Sequence, residues 1–117
     1  MMQFADDFQR DCERQEKRRI VSRERAQQMA KARSKGTHTK EEWLALLLET
    51  EFACVSCGSQ CIGGAPCKDH IISVGSGGSD AIQNLQPLCR QCNTRKGGGS
   101  TNYLAQWRTM RVGAYRG

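Results

Sequence analysis

The chain has 117 residues, 38% of them hydrophobic and 6% aromatic, with 18 Lys/Arg against 12 Asp/Glu for a net charge of +6. That length fits one domain with a modest core, and a chain this small gains much from a structural metal. No apolar run reaches the roughly 18 residues of a spanning helix, and the charged N-terminus lacks the apolar core of a secretory signal, so the expectation is a cytoplasmic protein without membrane contact.

Residues from about Phe4 to Lys35 contain no Gly or Pro and read as one long charged helix. Phe4, Phe8 and Cys12 fall at helical spacing before the apolar stripe thins. Two readings stay open. The helix is solvated and packs by its first turns or pairs with another chain, or it contacts a nucleic-acid backbone through Arg18, Arg19, Arg23 and Arg25. Gly36 ends it, which sets off a charged extension over residues 1–36.

A core is expected over residues 37–99. His38 lies in a linker and is expected to be solvent-exposed. Thr39-Lys40-Glu41-Glu42 has the form of a capping box, and a short helix to about Thr50 should bury Trp43, Leu44, Leu47 and Leu48 on one face. Residues 59–66 should be loop. A first strand is expected around Cys67–Val74, followed by a flexible turn over Gly75–Asp80 and a second short strand leading to Leu88. A helix from Cys89 to about Lys96 should stop at the three glycines 97–99. The tail, residues 100–117, reads as a final helix with Tyr103, Leu104, Trp107 and Met110 on one side.

Seven cysteines are present: Cys12, Cys54, Cys57, Cys61, Cys67, Cys89 and Cys92. An odd count in a reducing compartment argues for metal ligation over disulfides. Thiolates two residues apart can reach one zinc ion from a single turn, so Cys54/Cys57 and Cys89/Cys92 make a closed site of four ligands. A closed site leaves no position for water, so this zinc is structural. Cys61 and Cys67 are competing thiols, free or buried or else standing in for one of the four ligands, and Cys12 is most simply an unliganded helix residue.

Between and just beyond the two pairs lie Lys68-Asp69-His70-Ile71-Ile72, Gly77-Gly78-Ser79-Asp80, Asn84-Leu85-Gln86-Pro87-Leu88-Cys89 and Cys92-Asn93-Thr94-Arg95-Lys96-Gly97. In residue type, order and spacing this series resembles the HNH endonucleases, over roughly residues 43–97. The resemblance implies an α+β fold, a small ββα-metal core flanked here by the long N-terminal helix and a C-terminal helix. It also implies metal-dependent cleavage of DNA. Cleavage of a phosphodiester needs an activated water, a cation and an in-line geometry. His70 can serve as general base, because imidazole titrates near neutral pH.

Asp69 precedes His70 on a strand, so the two side chains should point to opposite faces. The resemblance implies that Asp69 faces the helix carrying Asn93, and that the two hold a catalytic Mg²⁺ or Mn²⁺. It implies that Asn84 bonds loop backbone and orients the base. Arg95 and Lys96 are candidate phosphate contacts, alongside Arg18 and Arg19 on the first helix. The expected partner is double-stranded DNA, nicked with low sequence specificity, by a monomer or by a homodimer paired through the N-terminal helix. The alternative is a zinc-stabilised nucleic-acid-binding module without catalysis.

Overall fold

The computed structural model describes residues 2–61, 64 and 66–116, with side-chain surroundings over 6–61, 64 and 66–111. Helices α1 (Met2–Ser34) and α2 (Lys40–Glu49) precede a two-stranded antiparallel sheet of β1 (Cys67–His70) and β2 (Leu85–Leu88). Helices α3 (Arg90–Lys96) and α4 (Tyr103–Arg116) follow. The architecture is therefore α+β, as expected. Among the described residues no helix is long and apolar enough to cross a membrane.

A run of 33 residues makes α1 about 50 Å long, in a molecule of 73 × 31 × 24 Å. Every described side chain from Asp6 to Gln28 is exposed, Phe8 included at 66%. Among the described side chains the helix packs by its last turns: Ala32 is 1% exposed, and the backbone N–H of Asp80 donates to the carbonyls of Ala32 (3.2 Å) and Gly36 (3.1 Å). The physical reason is composition, since the first five turns carry too little apolar surface to dock. The Phe4 side chain, and positions 62, 63 and 65 of the loop expected over 59–66, lie outside the described residues.

The capping box on α2 forms as the sequence predicts. The Glu42 N–H donates to Thr39 Oγ1 and the Thr39 N–H to Glu42 Oε1, each at 3.0 Å. The buried face differs from the expectation. Leu46, Leu47 and Thr50 are buried and Trp43 packs against the core cluster that contains Leu46, whereas Leu44 (50%) and Leu48 (61%) face outward. Positions 43, 46, 47 and 50 follow the i, i+3, i+4, i+7 stripe of one helix face, and 44 and 48 lie off it. Leu46 joins Cys54, Val55, Leu88, Cys92 and Leu104 in the core, so the hydrophobic centre is built around the cysteine pairs.

The first strand ends at His70, four residues short of the expected Val74, because the chain turns away at Ile71 to follow Asn84. Register pairs Asp69 with Gln86 and His70 with Leu85. The Gln86 side chain, 0% exposed, then ties three elements: it donates to Asp69 and to the Thr101 carbonyl, and accepts from the Leu104 N–H. Helix α4 is held onto this frame by Leu104 and by a two-pronged Arg108–Glu49 ion pair at 2.7 and 2.9 Å. The guanidinium holds the Glu49 carboxyl below the usual carboxylate range.

Candidate active site and structural metal centre

The two cysteine pairs meet. The sulfurs of Cys54, Cys57, Cys89 and Cys92 all lie within 4.8 Å of one another, and Cys57 and Cys89 are 3.9 Å apart. Tetrahedral zinc with bonds of about 2.3 Å would set its four sulfurs about 3.8 Å apart, so the cluster fits that ion. Local structure explains the convergence. The first pair sits on a turn closed by the Gly58 N–H on the Cys54 carbonyl (2.8 Å), with Gly58 at φ +76°. In the second, Cys89 caps α3 and its sulfur accepts from the Cys92 N–H at 3.4 Å. The Val55 N–H reaches the Pro87 carbonyl, which fastens the first turn to β2.

Proton affinity within the cluster is uneven. The side chain and backbone of Ser59 draw the Cys57 thiol down to about 6, while burial pushes Cys92 up to about 12. A bound divalent ion would hold all four as thiolates. Cys61 and Cys67 are half-buried outside the set of four, and Cys12 is exposed on α1.

Asp69 and His70 point to opposite faces of β1. His70 Nε2 lies 2.8 Å from Asp80 Oδ1, a carboxylate only 8% exposed. A carboxylate accepts, so Nε2–H is the donor, and in the neutral imidazole Nδ1 then keeps its lone pair. Nδ1 makes no hydrogen bond among the described residues. Asp80 is itself fixed by His38, whose Nδ1 is 2.8 Å from the Asp80 carbonyl and 3.5 Å from Oδ2. Lys68 Nζ sits 3.0 Å from His38 Nε2 and covers the Trp43 ring. His38 is thus 11% exposed and locked in this network, contrary to the solvent-exposed linker position expected for it.

Asn84 binds loop backbone. Its Oδ1 accepts from the Ile72 N–H (2.9 Å), and its Nδ2 donates to the carbonyls of Ile72 (3.0 Å) and Ser79 (2.7 Å). The amide therefore joins the two ends of the loop between the strands. Gly78 is needed for the same closure: a Cβ there would overlap the Ile72 carbonyl. Asp80, expected in a flexible turn, is instead fixed beside His70. An imidazole base needs an acceptor for its second nitrogen, and that requirement was the available signal.

The other face is closed. Asp69 Oδ2 accepts from Gln86 Nε2 at 2.8 Å and lies 3.2 Å from Lys96 Nζ, which also donates to the His70 carbonyl at 3.1 Å. Side-chain exposure is 6% for Asp69 and 1% for Lys96. Lys96, a candidate phosphate contact from the sequence, is placed here as a buried counter-ion of Asp69. Removing one member of a buried pair leaves an uncompensated charge worth about 3–5 kcal/mol. Lys96→Met is expected to destabilise the fold by about that amount, read as a shift in the urea midpoint. The Asp69→Leu/Lys96→Met double variant is expected to recover most of the loss.

The donor chemistry here, a carboxylate with the amide of Asn93 on the adjacent helix, suits a hard divalent ion. The Asn93 side chain is half-buried and makes no hydrogen bond among the described residues. The ammonium of Lys96, however, already neutralises Asp69. A second cation at that carboxylate would be repelled unless the lysine moved away, so ion and ammonium are alternatives. Of the other expected DNA contacts, Arg18 and Arg95 are exposed, and Arg19 lies 4.0 Å from Glu16.

Residues 54–99 match the family model described as HNH endonuclease. No curated protein matches the chain.

Proposed function

We propose, from the match of residues 54–99 to the HNH endonuclease family model, that the protein is a metal-dependent endonuclease hydrolysing phosphodiester bonds of double-stranded DNA. One observation carries the reading: a half-exposed imidazole whose Nε2 is held by a buried carboxylate at 2.8 Å, leaving Nδ1 as an acceptor. His70 Nδ1 takes a proton from water as the oxygen attacks phosphorus in line, and the imidazolium that forms is stabilised by Asp80. The bond to O3′ breaks and the departing oxygen takes a proton from solvent water, so the products carry 5′-phosphate and 3′-hydroxyl ends, and His70 releases its proton to solvent.

Asn84 holds the loop that presents Asp80. The four cysteines hold zinc as a structural ion. Asp69 and Asn93 would hold Mg²⁺ or Mn²⁺ only once the Lys96 ammonium has moved off Asp69, and the ion would then supply charge neutralisation for the phosphoryl oxygens and the departing O3′. Arg95 is the proposed phosphate contact on α3. A single catalytic centre in a monomer cuts one strand, so nicking with low sequence specificity is the expected mode. Pairing of two chains through α1 would convert nicking into double-strand cutting.

Zinc-loaded protein with Mg²⁺ or Mn²⁺ is expected to convert supercoiled plasmid to open circles, and EDTA to stop it. A retarded but intact plasmid would favour the second reading, a non-catalytic nucleic-acid-binding module. The Lys96 ammonium on Asp69 is the observation that favours that alternative.

Asp80 supplies a finer test as a positioning residue. Groups that fix a functional imidazole through its far nitrogen are worth about 10- to 100-fold, and Asp80→Asn is expected to lower kcat by that factor. KM should stay constant, because Asp80 faces His70 and not the DNA. Unfolding curves of the two proteins should be compared, since the Asp80 backbone also anchors α1.

A further inference from the structure

The His70 side of the sheet opens into a groove of about 690 Å³ whose far wall is α1. Arg25, Gln28 and Arg33 on that helix face His70, Ser73 and Gly75 across it. The wall is firmly placed: Ala32 is buried, Lys35 Nζ donates to the Gly77 carbonyl at 2.8 Å, and Asp80, the residue holding His70, donates its N–H to α1. Arg25 and Arg33 are exposed and make no ion pair among the described residues.

Charge along α1 is segregated. Residues 17–35 contain eight Lys/Arg and a single acid, Glu24, whereas residues 1–16 contain two Lys/Arg and five Asp/Glu. The basic half is the half beside His70. Arg18 and Arg25 are two helical turns apart, so Arg18 lies on the same face about 10 Å further out along the axis.

Resting on the endonuclease reading, we propose that α1, outside the family segment, is the second wall of the substrate groove. One DNA strand runs between this helix and the loop after His70. Arg25 and Arg33 bind the phosphates that flank the scissile one, and Arg18 binds the next phosphate outward. The substrate at this groove is a sugar–phosphate backbone, bound through its charge and without regard to base identity. The helix thereby does what an unaided ββα core leaves undone: it clamps the strand against the base.

The test uses full-length, zinc-loaded protein carrying His70→Ala, so that binding is read without cleavage, and a fluorescein-labelled 20-base-pair duplex. Each phosphate contact contributes about 0.9 to the slope of log K against log salt, so adding Arg25→Gln and Arg33→Gln should flatten the slope by about 1.8 and weaken binding at least tenfold at low salt. Adding Arg10→Gln and Arg14→Gln instead removes equal charge from the far half of α1 and should leave the slope unchanged. Equal losses in both pairs, or no loss in the first, would overturn the proposal. A change in oligomeric state on removing Arg25 and Arg33 would also overturn it, by assigning the basic wall to the acidic half of a second copy. Wild type that fails to cut while the slope behaves as expected would sink the nuclease reading and leave the groove standing.

Discussion

Stripping the zinc, or replacing Cys54 and Cys92 together with Ser, is expected to abolish the folded core and with it all cleavage. Cys54 and Cys92 are 0% and 6% exposed and belong to the same buried cluster as Leu46, Val55, Leu88 and Leu104. The sheet contributes only four residues per strand, far too little to hold α2, α3 and α4 in place unaided. Zinc binding to a four-thiolate site supplies folding free energy on the order of 10 kcal/mol, comparable to the entire stability of a small domain. Trp43 and Trp107 pack on that cluster and report its state. Chelation should red-shift their emission and remove the cooperative unfolding transition, and added zinc should restore both. Unchanged emission and an intact melting transition in metal-free protein would show that the thiols are ordinary core residues.

His70→Ala is expected to lower the cleavage rate by about 10²- to 10⁴-fold, the usual contribution of a positioned general base. The fold should survive, because the imidazole is 21% exposed and its one hydrogen-bond partner among the described residues is Asp80. Loss of His70 leaves Asp80 still held by His38 and by Thr37, whose hydroxyl is 3.5 Å from Oδ2. Zinc content and duplex affinity should therefore match wild type. Single-turnover cleavage of a labelled duplex at saturating protein separates the outcomes: a slow step with normal binding assigns His70 to chemistry, and normal cleavage removes it from the mechanism.

The frame of this site was legible because short-range chemistry writes it. Paired cysteines, Thr39 with Glu42, and the glycines after Lys96 each act within one turn, and each forms where the spacing predicts. Asp69 and His70 face opposite ways because strand geometry alone demands it. What the sequence concealed depends on partners distant in the chain. His38 reaches Asp80 across 42 residues, Lys96 reaches Asp69 across 27, and Gln86 joins Asp69 to the start of α4. A lysine at the end of a short helix reads as an exposed cation, and only tertiary packing reveals it as a buried counter-ion. The outward turn of Leu44 and Leu48 has the same origin, since four leucines in ten residues leave the choice of face to the neighbours.

The most direct measurement follows the attacking oxygen. Zinc-loaded wild-type protein and His70→Ala are incubated with a defined duplex in heavy-oxygen water with Mg²⁺ or Mn²⁺, and the product strands are weighed by mass spectrometry. Activation of water by His70 requires one heavy oxygen in a 5′-phosphate, an unlabelled 3′-hydroxyl on the other fragment, and little product from the variant. Duplex that is bound but returned uncut by the wild type would contradict the account and leave a nucleic-acid-binding module in its place.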